Sequence, residues 1–309
     1  MYSLSVDDII RSVARLKPMP SNVSHILREI DKHDVAIESL AGMIGLDQVL
    51  TALVLQISNS ASLGYSRTCS TLNEAIMHIG LQRLKSTLMA SSATSLMGRS
   101  LSGYHLGAGE LWQHSLVVGV ASEWLARVVH YPDPEQAYVA GLLHDIGKLL
   151  LDQAVFSNYA RIADYVEKYH VQLWQVEEKL IGIDHAKVGG LIAEHWNFPV
   201  VLVDAIRFHH VPSFARINQR LPAIVNLANS FTEDYQMAHS ALLSFQAHPE
   251  SLNILKISQG DLVQIKNKMK DSGVFPNFTK VGEQLRNAKH PQFLFWNQTP
   301  CNVTSSSWR

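Results

Sequence analysis

The chain has 309 residues, 47% of them hydrophobic and 17% charged, so it is long enough to bury one large core or two medium ones. Its 26 Lys and Arg residues balance 27 Asp and Glu residues, so the composition does not indicate a broad basic surface for the phosphates of a nucleic acid. It shows no secretory leader, no apolar run of about 18 residues that could span a membrane, and only two distant cysteines, so we expect a cytoplasmic protein with reduced thiols.

Apolar residues recur at helical spacing through the first hundred positions. Ser5 and Asp8 form the S-x-x-D pattern that satisfies free N–H groups at a helix start, and this first helix is predicted to run toward Leu16. Pro18 and Pro20 end it, because proline lacks an N–H and disfavours helical angles in the preceding residue. Further helices are predicted at 21–32, 34–44, 47–57, 71–79 and 81–97. Residues 1–100 are therefore predicted to form an N-terminal helical bundle.

A Gly/Ser-rich stretch at 98–109 loses the helical period and predicts a linker or a loop. Helices are then predicted at 110–129, 134–151, 156–169, 173–181, 184–196, 199–208 and 221–234. These place a second helical domain at 101–240. The pattern weakens through 258–270 and dissolves after residue 287, so 241–309 is predicted to be a C-terminal helical extension with a flexible tail. The predicted fold class is all-α.

His144 and Asp145 interrupt an otherwise apolar predicted helix, in the segment from Gly141 to Lys148. A buried carboxylate beside a buried imidazole is costly unless each is hydrogen-bonded, paired, or bound to a cation. A bound metal ion would offset the free-energy cost of burying the two groups, since imidazole and carboxylate together suit Zn, Fe, Ni or Mn.

Other histidines lie near the ends or inner edges of predicted helices: His114, His185, His209 and His210. Taken singly, each is more often a hydrogen-bonded structural residue than a ligand. Together with Asp145 they indicate a metal or an anion site as one interpretation and a set of satisfied core residues as the other. Which is correct depends on whether these side chains converge in space.

The order of these residues resembles the signature of the HD superfamily of metal-dependent phosphohydrolases. Within that superfamily the chain is more similar to HDOD domains, a likeness that spans about Leu16 to Pro212. The segments that carry it are Leu16 to Pro20, Ile57 to Ala61, Glu74 to Leu84, Gly141 to Leu150 and His195 to His210. The resemblance implies an N-terminal helical bundle packed on an HD-type helical core.

The resemblance also implies a first metal site made of His114, His144 and Asp145. Relatives complete it with an Asp on a later helix, but this chain has Asn229 at the matching position. Asn offers only a neutral carbonyl oxygen, which is a weaker ligand for a hard cation than a carboxylate and brings no balancing charge. We therefore expect the first site to be impaired.

The second site implied by the resemblance keeps its ligands, which are Asp145, His185, His209 and His210. We expect this degenerate centre to hold a divalent transition metal, Fe, Mn, Zn or Ni, in a partial or single site. In catalytic relatives a lysine at the position of Lys148 can contact a substrate phosphate. A lysine after Ile-Gly is more commonly an exposed or helix-capping residue, which is the alternative interpretation of Lys148.

Two functions follow from the resemblance. The favoured one is a signalling or regulatory module that acts through contacts with other signalling proteins or as a homodimer, without catalytic turnover, and Asn229 supports it. The alternative is a metal-dependent phosphohydrolase acting on a nucleotide or a phosphodiester, with Lys148 in a catalytic role, and the retained histidines support it. Nucleic acids and membranes are not expected partners. The sequence after His210 has no Gly-Tyr-Pro motif, which disfavours the cyclic-dinucleotide phosphodiesterase branch.

Overall fold

The computed structural model describes residues 5–16, 19–59, 69–231 and 247–271. Within these ranges the regular structure is helical, apart from an isolated antiparallel bridge between Leu101 and Leu106. The all-α prediction is therefore confirmed. Several expectations fall outside the described residues: the break at Pro18, the segment Ser60 to Ala61, the end of the predicted helix at 221–234, and the tail at 287–309 with Cys301.

The helices, in chain order, are α1 (Val6–Arg15), α2 (Ser21–Ile30), α3 (Ile37–Gly45), α4 (Gln48–Ser58), α5 (Leu72–Ile79), α6 (Leu81–Met97), α7 (Glu110–Val128), α8 (Pro134–Leu143), α9 (Lys148–Tyr169), α10 (Leu173–Ile181), α11 (His185–His195), α12 (Val200–Phe208), α13 (Arg220–Phe231), α14 (Pro249–Leu255) and α15 (Gln259–Asp271). A short 3-10 helix at Pro212–Phe214 follows α12. No helix in the described ranges combines the length and the apolar character needed to cross a membrane.

The start of α1 shows the predicted capping box. The Ser5 hydroxyl accepts a hydrogen bond from the backbone N–H of Asp8, and the Asp8 carboxylate accepts one from the backbone N–H of Ser5. At the start of α5 the Thr71 hydroxyl accepts from the Glu74 N–H, and the Glu74 carboxylate accepts from the N–H of Ser70. Local capping chemistry thus decides where these two helices begin.

The chain divides into two compact units, one comprising Met1–Pro18 with Ala93–Asn267 and the other comprising Met19–Ser92 with Lys268–Arg309. In the second unit, α3 packs against α2, α4 and α5. Its core contains the fully buried side chains of Leu40, Ile44, Val54 and Ile76.

In the first unit, α7 packs along α8 and α13, and α11 packs along α12. The α7–α8 contact is close because it has glycine on both sides: a Cβ on Gly141 would lie 2.5 Å from the Ser122 hydroxyl and 2.9 Å from the Cα of Gly119. Such close packing brings the C-terminal end of α8 beside α7. The helix α1 packs against α9 and α11 of the same unit.

The prediction of one helix over 134–151 was wrong. The helix α8 ends at Leu143, a turn follows at 144–147, and α9 begins at Lys148 and absorbs the separately predicted helix at 156–169. Backbone bonds in the turn run from residue i+3 to residue i, as from the Lys148 N–H to the Asp145 carbonyl at 3.0 Å. Gly147 permits this path, because a Cβ there would lie 1.9 Å from the carbonyl oxygen of His185.

Candidate metal centre

The sequence-predicted site residues of the first unit lie at helix ends. His114 lies in the second turn of α7, His144 caps the C-terminus of α8, and His185 is the first residue of α11. His209 caps the C-terminus of α12 and His210 follows it. Because helix ends leave backbone groups without intrahelical partners, polar side chains are tolerated there at low cost. Six of the predicted residues meet in two groups, which are His114, His144 and Asp145, and His185, His209 and His210.

In the first group the ligand atoms lie within 4.8 Å of one another. Oδ2 of Asp145 is 3.4 Å from Nε2 of His114 and 3.3 Å from Nε2 of His144. The Nδ1 of His144 lies 2.7 Å from the Gly141 carbonyl, which only accepts, so Nδ1 carries the proton. Nε2 of His144 is buried and has no hydrogen-bond partner among the described residues, which suits a metal ligand.

The second group is more deeply buried. Nε2 of His185 lies 2.8 Å from Nε2 of His210, and the rings of His209 and His210 are 3.9 Å apart. Nδ1 of His209 donates to the Ile206 carbonyl at 2.8 Å, while its buried Nε2 has no hydrogen-bond partner in the described part of the chain. A lone pair buried without a donor is costly, and a cation in this cluster would satisfy it.

Asp145 joins the two groups, because its other oxygen, Oδ1, lies 3.2 Å from Nε2 of His185. Burial alone would raise the pKa of Asp145, but His144, Lys148 and His114 hold that pKa well below its usual range, so this carboxyl is ionised. Burial, together with the other imidazoles, lowers the pKa of His209 and of His210 well below the usual value. Both rings are therefore neutral at neutral pH, the form that binds metal.

The structure corrects the simpler explanation of Lys148 as an exposed or helix-capping residue. Lys148 begins α9, is 6% exposed, and places Nζ 2.6 Å from Oδ2 of Asp145. Its ammonium also lies 5.6 Å from the centroid of the Tyr104 ring. The first group thus already contains a cation supplied by the protein.

Asn229 is buried on α13, a helix that packs against both α7 and α8. One turn earlier on the same helix, Asn226 connects the end of α12 to α14. Its side-chain amide donates to the His209 carbonyl at 2.7 Å, and its oxygen accepts from the His248 N–H and the Ser251 hydroxyl. Asn226 therefore fixes the backbone at the histidine pair, a role that the sequence analysis did not identify.

Glu177, which was not among the residues predicted from the sequence, is completely buried on α10. Its Oε2 accepts from the backbone N–H of His185 at 2.9 Å and lies 2.6 Å from Nδ1 of the same residue, and its Oε1 accepts from the Tyr104 hydroxyl at 2.8 Å. Burial would lower the pKa of His185, but Glu177 and Asp145 raise it to about 9. A signal was present: Glu177 falls on the apolar face of α10, four residues after Leu173 and one after Val176, where a carboxylate needs a partner.

Trp174 lies flat against His210, with ring centroids 5.3 Å apart and planes inclined by 10°. Trp174 therefore forms one side of the second histidine group, whereas Trp112, Trp124 and Trp196 are buried in the core.

Known proteins similar to this chain share the HDOD domain or its helical fold. The family model for the HDOD domain matches residues 16–212. A crystal structure of an HDOD domain protein of unknown function from Geobacter sulfurreducens is 26% identical, with a TM-score of 0.66 over 86% of this chain and 94% of that one. A candidate phosphohydrolase from Shewanella amazonensis is 24% identical, with a TM-score of 0.64 over 88% of this chain and 97% of that one, and shows the same fold.

Among curated proteins, an uncharacterized protein of Treponema pallidum is 26% identical over 253 residues. The match covers 78% of this chain but 47% of the relative, so the chain spans about half the length of that protein.

Proposed function

The chain belongs to the HDOD domain family, and from that premise we propose that it is a regulatory module that acts through protein contacts, without catalytic turnover, and binds a single divalent transition metal. Its partners are other signalling proteins or a second copy of the chain.

The ion pair between Lys148 and Asp145 carries this proposal. It supports a non-catalytic site because Oδ2 of Asp145, the oxygen approached by His114 and His144, is already neutralised by a buried ammonium. Removing one partner of such a buried pair costs about 3–5 kcal/mol, so the pair is not easily opened for a metal. Asn229, a neutral residue where the family signature has a carboxylate, weakens the same site further.

The second group supports the binding of one metal. His185, His209 and His210 offer imidazole nitrogens within 4.8 Å of one another, and Oδ1 of Asp145 lies beside His185; this donor set suits Fe, Mn, Zn or Ni. When bound, such an ion acts as a Lewis acid and lowers the pKa of a coordinated water. In the regulatory role His185 of α11 and His209 and His210 at the end of α12 would hold the ion, which would link the two helices.

The second candidate function is a metal-dependent phosphohydrolase that acts on a nucleotide or a phosphodiester. It is favoured by the convergence of three histidines, His114, His144 and His185, on one ionised carboxylate. In that case Lys148 would leave Asp145 to contact a substrate phosphate.

Metal analysis and turnover on one preparation of tag-free protein test the proposal. We expect close to one transition metal per chain and no hydrolysis of bis(p-nitrophenyl) phosphate or nucleoside phosphates after loading with Mn, Fe, Zn or Ni. The control is the double variant Asp145→Asn/Lys148→Met, which removes both buried charges together and so avoids an unpaired ion. Turnover by the wild type that is absent from this variant would overturn the regulatory proposal and establish the hydrolase.

A further inference from the structure

A loop at 98–109 is docked on α9 by three contacts. The Arg99 guanidinium donates to the Leu149 carbonyl, the Gly103 N–H donates to the Asp152 carboxylate at 2.7 Å, and the His105 ring stacks on Tyr159 at 4.0 Å. Gly103 has no room for a side chain, since a Cβ would lie 2.1 Å from the Asp152 carbonyl oxygen. The loop is thereby held close against the helix.

Because the loop is docked in this way, the side chain of Tyr104 is inserted into the core of the first unit. Tyr104 is completely buried, and its hydroxyl reaches Oε1 of Glu177. The carboxylate of Glu177 is therefore bonded on both oxygens, to Tyr104 on one side and to His185 on the other. A carboxylate held at both oxygens has little freedom to rotate.

The bond from Glu177 determines which nitrogen of His185 faces the cluster. Oε2 of Glu177 accepts from the backbone N–H of His185 and lies within hydrogen-bond distance of its ring, so we assign the shared proton to Nδ1 of His185, and Nε2 faces Asp145 and His210. Metal-binding histidines usually donate their other ring N–H to such a carboxylate, which orients the ring and increases its basicity.

We propose that Tyr104 and Glu177 are positioning residues for the metal site, through which the docked loop sets the orientation of His185 and hence the metal affinity. The inference rests on the proposed metal-binding function and adds residues that act through His185. Loss of a partner of this kind weakens metal binding by about 10- to 100-fold.

The first test is a Zn²⁺ titration of the full chain against a chromogenic chelator. Glu177→Gln should weaken Zn²⁺ binding by about 10- to 100-fold, and Tyr104→Phe by a smaller factor in the same direction. Tyr131→Phe is the matched control, because it removes another buried hydroxyl, which donates to Gln136 and accepts from Asn218. It should leave the Zn²⁺ affinity unchanged.

The second test needs no metal. In protein labelled with 15N-histidine, the Nδ1 proton of His185, assigned by its loss in His185→Gln, should be shifted downfield and protected from exchange with water. Tyr104→Phe should speed this exchange at least several-fold relative to Tyr131→Phe, because Glu177 loses the hydrogen bond that holds its Oε1.

The two tests separate failure of the inference from failure of the proposed function. Wild-type Zn²⁺ affinity in both Glu177→Gln and Tyr104→Phe, with unchanged exchange, would overturn the positioning role. If the wild type binds no Zn²⁺, the metal-binding function fails, and the exchange rate then decides the positioning role: faster exchange in Tyr104→Phe supports it and equal exchange overturns it.

Discussion

The ammonium of Lys148 lies 2.6 Å from Oδ2 of Asp145, and both side chains are buried. A metal bound by His114 and His144 would need Oδ2 of Asp145 as a ligand, and the lysine already occupies that oxygen. The opposite oxygen, Oδ1, lies 3.2 Å from Nε2 of His185, and within the described ranges no lysine contacts it. Unlike lysine, His185 can give up its Nε2 proton and become a metal ligand. This asymmetry of one carboxylate is the basis for expecting a single metal rather than two.

Removing the cation should open the first group. Lys148→Met is expected to raise the metal content from about one to about two ions per chain, measured by elemental analysis after loading with excess Mn²⁺ or Zn²⁺. In metal-free protein the same change should lower the free energy of unfolding by about 3–5 kcal/mol, because Asp145 loses its buried partner. Lys148→Arg keeps the positive charge and serves as the control. An unchanged metal content in Lys148→Met would contradict the role of the lysine as a resident cation.

The two groups should respond differently to loss of one histidine. His209→Gln is expected to abolish metal binding, since its Nε2, which has no hydrogen-bond partner in the described ranges, lies in the group proposed to hold the ion. His114→Gln should leave the metal content of the wild type unchanged. Elemental analysis of both variants checks this, with thermal unfolding to establish that each is folded. The reverse result would place the metal in the first group.

Restoring the missing carboxylate should strengthen the first group. Asn229→Asp is expected to increase Mn²⁺ affinity and to destabilise the metal-free protein, because it adds a second carboxylate charge to a buried site that already contains Asp145. Combined with Lys148→Met, it should yield two bound metals. Phosphodiesterase activity in this double variant but not in the wild type would show that these two residues silence the site. Weaker metal binding by Asn229→Asp would count against its assigned position in the site.

The turn at 144–147 should not accept a side chain at its last residue. Gly147→Ala is expected to cost several kcal/mol of unfolding free energy and to lower metal content, because the Cβ would overlap the His185 carbonyl. The matched control is Gly42→Ala in α3, where nothing lies within 4 Å of a Cβ. That change should stabilise the protein by about 0.5–1 kcal/mol. Equal unfolding midpoints for the two variants in urea would disprove the close contact.

Much of the fold could be predicted because its signals are local. Ser5 and Asp8 are three residues apart and determine a helix start by their own hydrogen bonds, and Gly80 ends α5 with a positive φ that glycine adopts without strain. The order of the histidines likewise depends on the chain alone. The helical spacing of apolar residues wrongly predicted one helix at 134–151, because this spacing continues through the turn between α8 and α9.

What the sequence by itself determined was the all-helical class, most helix positions, and a set of histidines with Asp145 suited to a metal. The tertiary structure decided that Lys148 is buried against Asp145, that α8 ends before the turn, and that Glu177 orients His185. The reason is distance along the chain. Asp145 and His185 are 40 residues apart in number yet 3.2 Å apart in space, and no local propensity encodes a contact that exists only once α8, α10 and α11 have packed.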